Sequence, residues 1–112
     1  MRPLQHPPMK SVTVQGILYA LSDPVRLAVV GELAKEAAGL NCVEMMARTT
    51  HDLPKSTCSQ HYQILREAGL IISERHGVEL VSRLRRKELD ARFPGLLASV
   101  LKAHKAEHKS RS

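Results

Sequence analysis

Between residues 54 and 84 the hydrophobic period of this chain changes from three or four residues to two. Across Pro54–Gly69, Cys58, Tyr62 (or His61), Leu65 and Ala68 recur at helical spacing, and Gly69 stands where a left-handed C-cap belongs. Two strand-like segments follow, Leu70–Arg75 and Glu79–Leu84, separated by His76-Gly77-Val78. In the second segment Leu80, Ser82 and Leu84 alternate with Glu79, Val81 and Arg83. A helix that runs straight into a β-hairpin leaves few architectures open to a chain of 112 residues.

The rest of the pattern is helical. Val12–Leu21 carries Val14, Ile17, Leu18 and Leu21 on one stripe. At Ser22-Asp23-Pro24 the chain restarts: Asp23 can cap, and Pro24 suits a first helical position because its missing N–H has no partner there anyway. Val25–Glu36 is expected to be the second helix, with Leu27, Val30, Leu33 and Ala34 inward. Asn41 caps a short third helix, Cys42–Arg48, and Thr49–Leu53 is a polar connection. Lys87–Ala91 and Pro94–Glu107 supply the last helical segments, the second carrying Leu96, Leu97, Val100 and Leu101. This order predicts a mainly α fold with a β-hairpin wing, a winged helix-turn-helix. It occupies residues 11–107, between a loose leader (1–10) and a fraying tail (108–112).

Composition narrows the function. The three aromatic residues, Tyr19, Tyr62 and Phe93, form no series on which nucleobases could stack, which argues against single-strand binding of that type. No apolar run approaches the ~20 residues of a membrane span, and the first ten residues hold no apolar block of a secretory signal. Cys42 and Cys58 make neither metal-finger spacing nor a disulfide framework, so a reducing cytoplasm is the expected compartment. No Gly-rich phosphate loop, nucleophile elbow or paired carboxylate site points to an enzyme, and no motif asks for a cofactor. The formal charge of +6 is one-sided. Residues 1–54 hold five Lys/Arg and five Asp/Glu, whereas residues 55–112 hold twelve and six. A basic excess confined to one half suggests a polyanionic partner.

That half contains the outward face of the helix at Pro54–Gly69. Lys55, Ser56, Ser59, Gln60 and Gln63 fall largely opposite the apolar stripe, and the first three turns hold no carboxylate. Double-stranded DNA selects this chemistry: Gln reaches an adenine edge with two hydrogen bonds, hydroxyls reach bases or phosphates, and carboxylates would be repelled. Free N–H groups at the helix start add a phosphate contact. Thr57 and His61 complete the candidate set. The competing reading is a solvated helix face, but such faces usually carry Glu and Lys, which have higher helix propensity.

Two stretches resemble a known family. Ala20-Leu-Ser-Asp-Pro-Val-Arg-Leu27 is similar to the opening signature of the ArsR-type (arsenic-repressor-like) regulators. Ser56-Thr-x-Ser-x-His-x-x-x-Leu-x-x-Ala-Gly-Leu70 resembles their recognition helix. The resemblance covers roughly residues 12–105. It implies a dimer joined through the first and last helices, bound to a palindromic operator and released by a signal. It also implies a wing against the minor groove, which brings in Arg75 and His76, where a cation is favoured. Arg83, Arg85, Arg86 and Lys87 follow, as a solvated basic edge or as phosphate contacts.

The resemblance also raises the question of a sensor. Many metal-sensing relatives carry Cys-x-Cys in the third helix; Cys42-Val43-Glu44 retains half of it. Cys58 lies on the predicted buried face, where a small hydrophobe is its expected role. Together Cys42 and Cys58 are the candidates for a thiol-oxidation switch. His104 and His108 stand one helical turn apart, but the matching Asp-x-His earlier in that helix is missing, and they are expected to sit on a solvated tail rather than to hold a metal. A winged-helix protein-interaction module without DNA binding is the alternative to a repressor; it leaves the Ser/Gln face unexplained.

Overall fold

The computed structural model describes residues 4–49 and 53–110. A 3-10 turn at Met9–Ser11 precedes α1 (Val14–Leu21) and α2 (Pro24–Leu33), then β1 (Leu40–Asn41), α3 (Cys42–Arg48) and α4 (Lys55–Glu67). The hairpin β2 (Ile71–His76) and β3 (Glu79–Leu84) leads to α5 (Arg86–Arg92) and α6 (Leu96–Ser110). This is the expected winged helix-turn-helix, with α3 and α4 as the helical pair and β2–β3 as the wing. Within the connection at Thr49–Leu53, residues 50–52 lie outside the described residues.

Local chemistry explains where the helices start. Asp23 Oδ1 accepts from the Val25 and Arg26 amides at 2.8 and 3.2 Å, with Pro24 at the first position of α2. Burial opposes ionisation of that carboxylate, but the Arg26 and Val25 amides outweigh it and hold its pKa below the usual range. Asn41 and Glu44 form a reciprocal capping box on α3, at 2.8 and 2.9 Å. Several boundaries differ from the sequence pattern, most of all at the end of α2 and at both ends of α6. α2 stops at Leu33 rather than Glu36, because the chain tightens into i→i+3 turns there and brings Leu40 and Asn41 alongside Ser82 and Val81 of β3. That third strand has two residues, too few for any period to show. α6 begins at Leu96 rather than Pro94 and continues through Ser110, three residues past the expected helix end at Glu107 and into the segment expected to fray.

The core is aliphatic. Ile17, Val30, Leu33, Leu65, Leu70 and Ile71 are its largest fully buried side chains, and α2 packs against α1, α3, α4 and β3. Leu97 of α6 and Leu89 of α5 close it from the far side. Between the wing strands the Ser73 and Ser82 hydroxyls are buried and satisfy each other at 2.7 Å, a cross-strand pair in register.

Residues 4–10, expected to be loose, are tied to this body. The Ser73 amide on the outer edge of β2 donates to His6 Nε2 at 3.0 Å. Arg85 Nη1 donates to the Pro7 carbonyl at 2.8 Å, and Arg92 donates to the Met9 and Val12 carbonyls. Sequence periodicity is blind to such a segment because its anchors are single polar atoms far away in the chain.

Gly69 has φ +86, and a Cβ there would run into the side chain of Val12. Gly69→Ala is therefore expected to cost about 2–5 kcal/mol, from the left-handed backbone and the overlap together. Gly77→Ala, with the same sign of φ in open space, should cost only about 1 kcal/mol. Thermal unfolding of the two variants side by side checks this order. A second expectation concerns pH. Partial burial, then the Arg66 and Arg85 guanidinium charges, lower the pKa of His6. The folded chain thus binds that proton less readily than the unfolded chain. Stability present at pH 7 declines as pH falls through the ordinary histidine value of about 6.5 toward the lower folded value. The stability gap between the parent and His6→Ala should accordingly shrink from pH 7.5 to pH 5; a gap that widens would contradict it.

Candidate nucleic-acid interface

The face predicted on α4 is open. Lys55, Ser56, Ser59, Gln60 and Gln63 are exposed, while Tyr62 and Leu65 are buried against the core. The exposed polar residues lie three or four apart, so they share one side of the helix. Pro54 precedes the helix with extended backbone (φ −57, ψ 148) and supplies no side-chain cap. The first-turn amides of Lys55, Ser56 and Thr57 have no partner among the described residues, and with the Lys55 side chain they gather positive charge suited to a phosphate. Thr57 is half-buried at the edge of this face.

His61 is also half-buried, and its role is set by a residue that periodicity does not single out. Arg26 is buried at 7% exposure in α2. Its Nε donates to the Ala20 carbonyl at 2.7 Å, its Nη2 approaches the Tyr19 carbonyl at 3.5 Å, and its guanidinium lies 5.5 Å from the Tyr19 ring centre. Its Nη1 stands 3.3 Å from His61 Nδ1. A guanidinium only donates, so His61 Nδ1 must accept and the imidazole proton resides on Nε2. His61 is thereby held as a donor at the margin of the polar face. The signal was present in the Asp-Pro-Val-Arg motif, but its target, 35 residues on, is a tertiary fact.

The wing turns through two residues, Gly77 and Val78. Gly77 has φ +66 and Val78 does not have positive φ, the pattern of a type II′ hairpin. Arg75 and His76 flank the tip and are exposed, and Val78 projects from it at 97% exposure. The basic stretch after the wing divides. Arg85 is buried, bound to both oxygens of Glu88 at 3.1 and 2.9 Å and to Pro7, so it is a structural residue with no face for phosphate. Arg83 pairs with Glu74 at 3.4 Å across the strands and Arg86 with Asp90 at 2.9 Å. Both are solvent-facing pairs that another anion could compete for.

The sensor candidates are placed as follows. Cys58 is half-buried rather than buried, and Cys42 at the start of α3 is exposed; both are free thiols. They are close enough to influence each other. Partial desolvation first, and Cys58 second, raise the Cys42 pKa, against a smaller opposing effect of Lys55. A raised thiol carries less of the reactive thiolate at neutral pH. The neighbouring Tyr62 hydroxyl is buried without a hydrogen-bond partner among the described residues, and its pKa is raised by burial and then by the two thiols. On α6 the His104 and His108 rings meet edge to face, 4.4 Å between centres. Among the described residues no three His, Cys, Asp or Glu side chains gather into a metal cage, and no helix is long and apolar enough to cross a membrane.

Comparison with known proteins places this geometry. Residues 21–74 match a helix-turn-helix domain family. The chain is similar to the HTH-type transcriptional repressor SmtB of Mycobacterium tuberculosis, 37% identical over 79 residues. That match covers 70% of this chain and 56% of the repressor, so the chain spans little more than half the length of that relative. It is 32% identical over 84 residues to the uncharacterized HTH-type transcriptional regulator YceK of Bacillus subtilis, covering 75% of this chain and 82% of that protein. Its fold is similar to that of the transcriptional repressor BigR from Xylella fastidiosa, with TM-score 0.57, 28% identity, and 71% and 85% of the two chains covered. It also resembles that of the ArsR family transcriptional regulator RHA00566, with TM-score 0.60, 23% identity, and 87% and 92% covered. With the wing, the capped α2 and the polar face of α4 in place, the chain belongs to the ArsR-type family of winged helix-turn-helix transcriptional regulators.

Proposed function

We propose that the chain is a homodimeric, sequence-specific DNA-binding repressor of transcription rather than an enzyme, working in the cytoplasm on a palindromic operator. The observation that carries this reading is the polar face of α4, whose first three turns hold no carboxylate and on which Lys55, Ser56, Ser59, Gln60 and Gln63 are all exposed. Thr57 and His61 stand at its margin, and Arg75 and His76 on the wing extend it. Lys55 and the first-turn amides take a backbone phosphate, and Gln60 and Gln63 read base edges in the major groove. The wing lays Arg75 and His76 against the adjoining minor groove.

Dimerisation rests on an apolar face that one chain leaves uncovered. Val14, Leu18 and Tyr19 of α1 are 42, 49 and 62% exposed. A second copy of the chain, approaching through α1 and α6, buries them and sets two α4 helices for two half-sites of an operator. A thiol signal through Cys42 and Cys58 is a secondary reading, supported by their proximity and weighed against by the raised Cys42 pKa.

The first test is a mobility shift with the chain's own upstream DNA at ~50 mM salt, where the phosphate contribution is strongest; no shift there would sink the repressor reading. Gln60→Ala should cost about 1–3 kcal/mol on the cognate operator and little on unrelated DNA. Lys55→Ala should weaken both and flatten the salt dependence by about one unit. Leu18→Glu should give a monomer in analytical ultracentrifugation and remove tight operator binding; an unchanged dimer would place the interface elsewhere.

A further inference from the structure

Away from the recognition helix and the wing, α2 and α6 enclose a groove of about 730 Å³ that also takes in the end of α3 and the start of α5. Its size falls within the roughly 300–1,000 Å³ of small-molecule sites. Its floor is apolar and shallow in side chains: Ala28, Gly31 and Leu101 line it, and the His104 ring lies so close over Gly31 that a Cβ there would stand 3.3 Å from the ring. Its rim is cationic. Lys35, Arg48, Arg86, Lys102 and Lys105 line it against the single carboxylate of Glu32.

Three of those cations have carboxylate partners: Lys35 with Glu32 at 3.0 Å, Arg48 with Glu36 at 2.7 Å, and Arg86 with Asp90 at 2.9 Å. Lys102 and Lys105 have none among the described residues and remain uncompensated on one side of α6. His104 Nδ1 in the same wall is buried without a hydrogen-bond partner among the described residues. Lys102 and Lys105 are exposed, and their positive charge at the edge of an apolar floor, beside the unpartnered His104 Nδ1, suits a ligand that is both anionic and partly apolar.

We propose that this groove binds a small organic anion, one carrying a carboxylate or phosphate head on an apolar body. The head meets the Lys102 and Lys105 ammonium groups and the body lies on Ala28, Gly31 and Leu101. A DNA backbone is a poorer occupant: a duplex is too wide for such a groove, and none of its lining residues comes from α4 or the wing. The site has a route to the DNA-binding elements, because Arg48 ends α3 and Arg86 directly follows the wing strand and Arg85.

Binding is measured without DNA, so its failure leaves the repressor reading intact. Phenyl phosphate and benzoate are titrated into the full chain by calorimetry, with phenol and inorganic phosphate as body-only and head-only controls. Saturable binding of either aromatic anion, tighter than both controls, is expected. Replacing both lysines, Lys102→Glu with Lys105→Glu, should weaken it roughly tenfold or more. Ala34→Trp fills the groove from an exposed position without changing charge and should weaken it as well. Lys10→Glu, outside the groove, should leave it unchanged; circular dichroism confirms that each variant is folded. No saturable binding to the parent, phenol binding as tightly as the anions, or variants binding like the parent would each overturn the proposal. In a separate mobility shift, loss of operator affinity in the lysine variant, with no anion bound by the parent, would also overturn it and assign these cations to DNA.

Discussion

A buried guanidinium must satisfy its donors or destabilise the fold that buries it, and Arg26 meets that demand with Ala20, Tyr19 and His61. Its bond to the Ala20 carbonyl uses an acceptor that the end of α1 leaves free. Its contact with Tyr19 fixes the corner between α1 and α2, and its contact with His61 holds α4 against that corner. Three helices are thus referred to a single side chain. The aliphatic core supplies most of the cohesion, but Leu, Ile and Val contacts are non-directional. The directional bonds of Arg26 add to the burial of Tyr62 and Leu65, which already turns the polar residues of α4 outward.

The wing is held in a similar way. Its strands bury little on their outer side, and β2 is an edge strand whose unpaired amides would ordinarily face water. His6 occupies one of them at Ser73, while the Ser73–Ser82 pair keeps the two strands in register beneath it. Arg85 links the same leader segment to the start of α5. The hairpin is short, and an isolated two-stranded hairpin is marginal in water. The addition of β1, the leader and α5 at its base leaves only the tip, with Arg75, His76, Gly77 and Val78, projecting freely.

The positive charge of the second half of the chain does not form one surface. Lys55 and Arg75 lie on the face proposed for DNA, Arg85 is consumed inside the fold, and Lys102 and Lys105 line the α2–α6 groove. A net charge therefore says that a polyanion or an anion is attractive somewhere on the molecule, and folding distributes that attraction among separate places.

From the sequence alone, the switch in hydrophobic period near Gly69, the caps at Asp23 and Asn41 and the turn at Gly77 determined the order of helices and the wing. They also determined the outward face of α4, because periodicity and capping are local properties of neighbouring residues. Tertiary structure alone decided the rest. The two-residue β1, the anchoring of residues 4–10, the burial of Arg85, the half-exposed Cys58 beside Cys42 and the Arg26–His61 contact all join positions far apart in the chain. Each depends on one polar atom meeting another across the fold, and single contacts of that kind leave no period in a sequence.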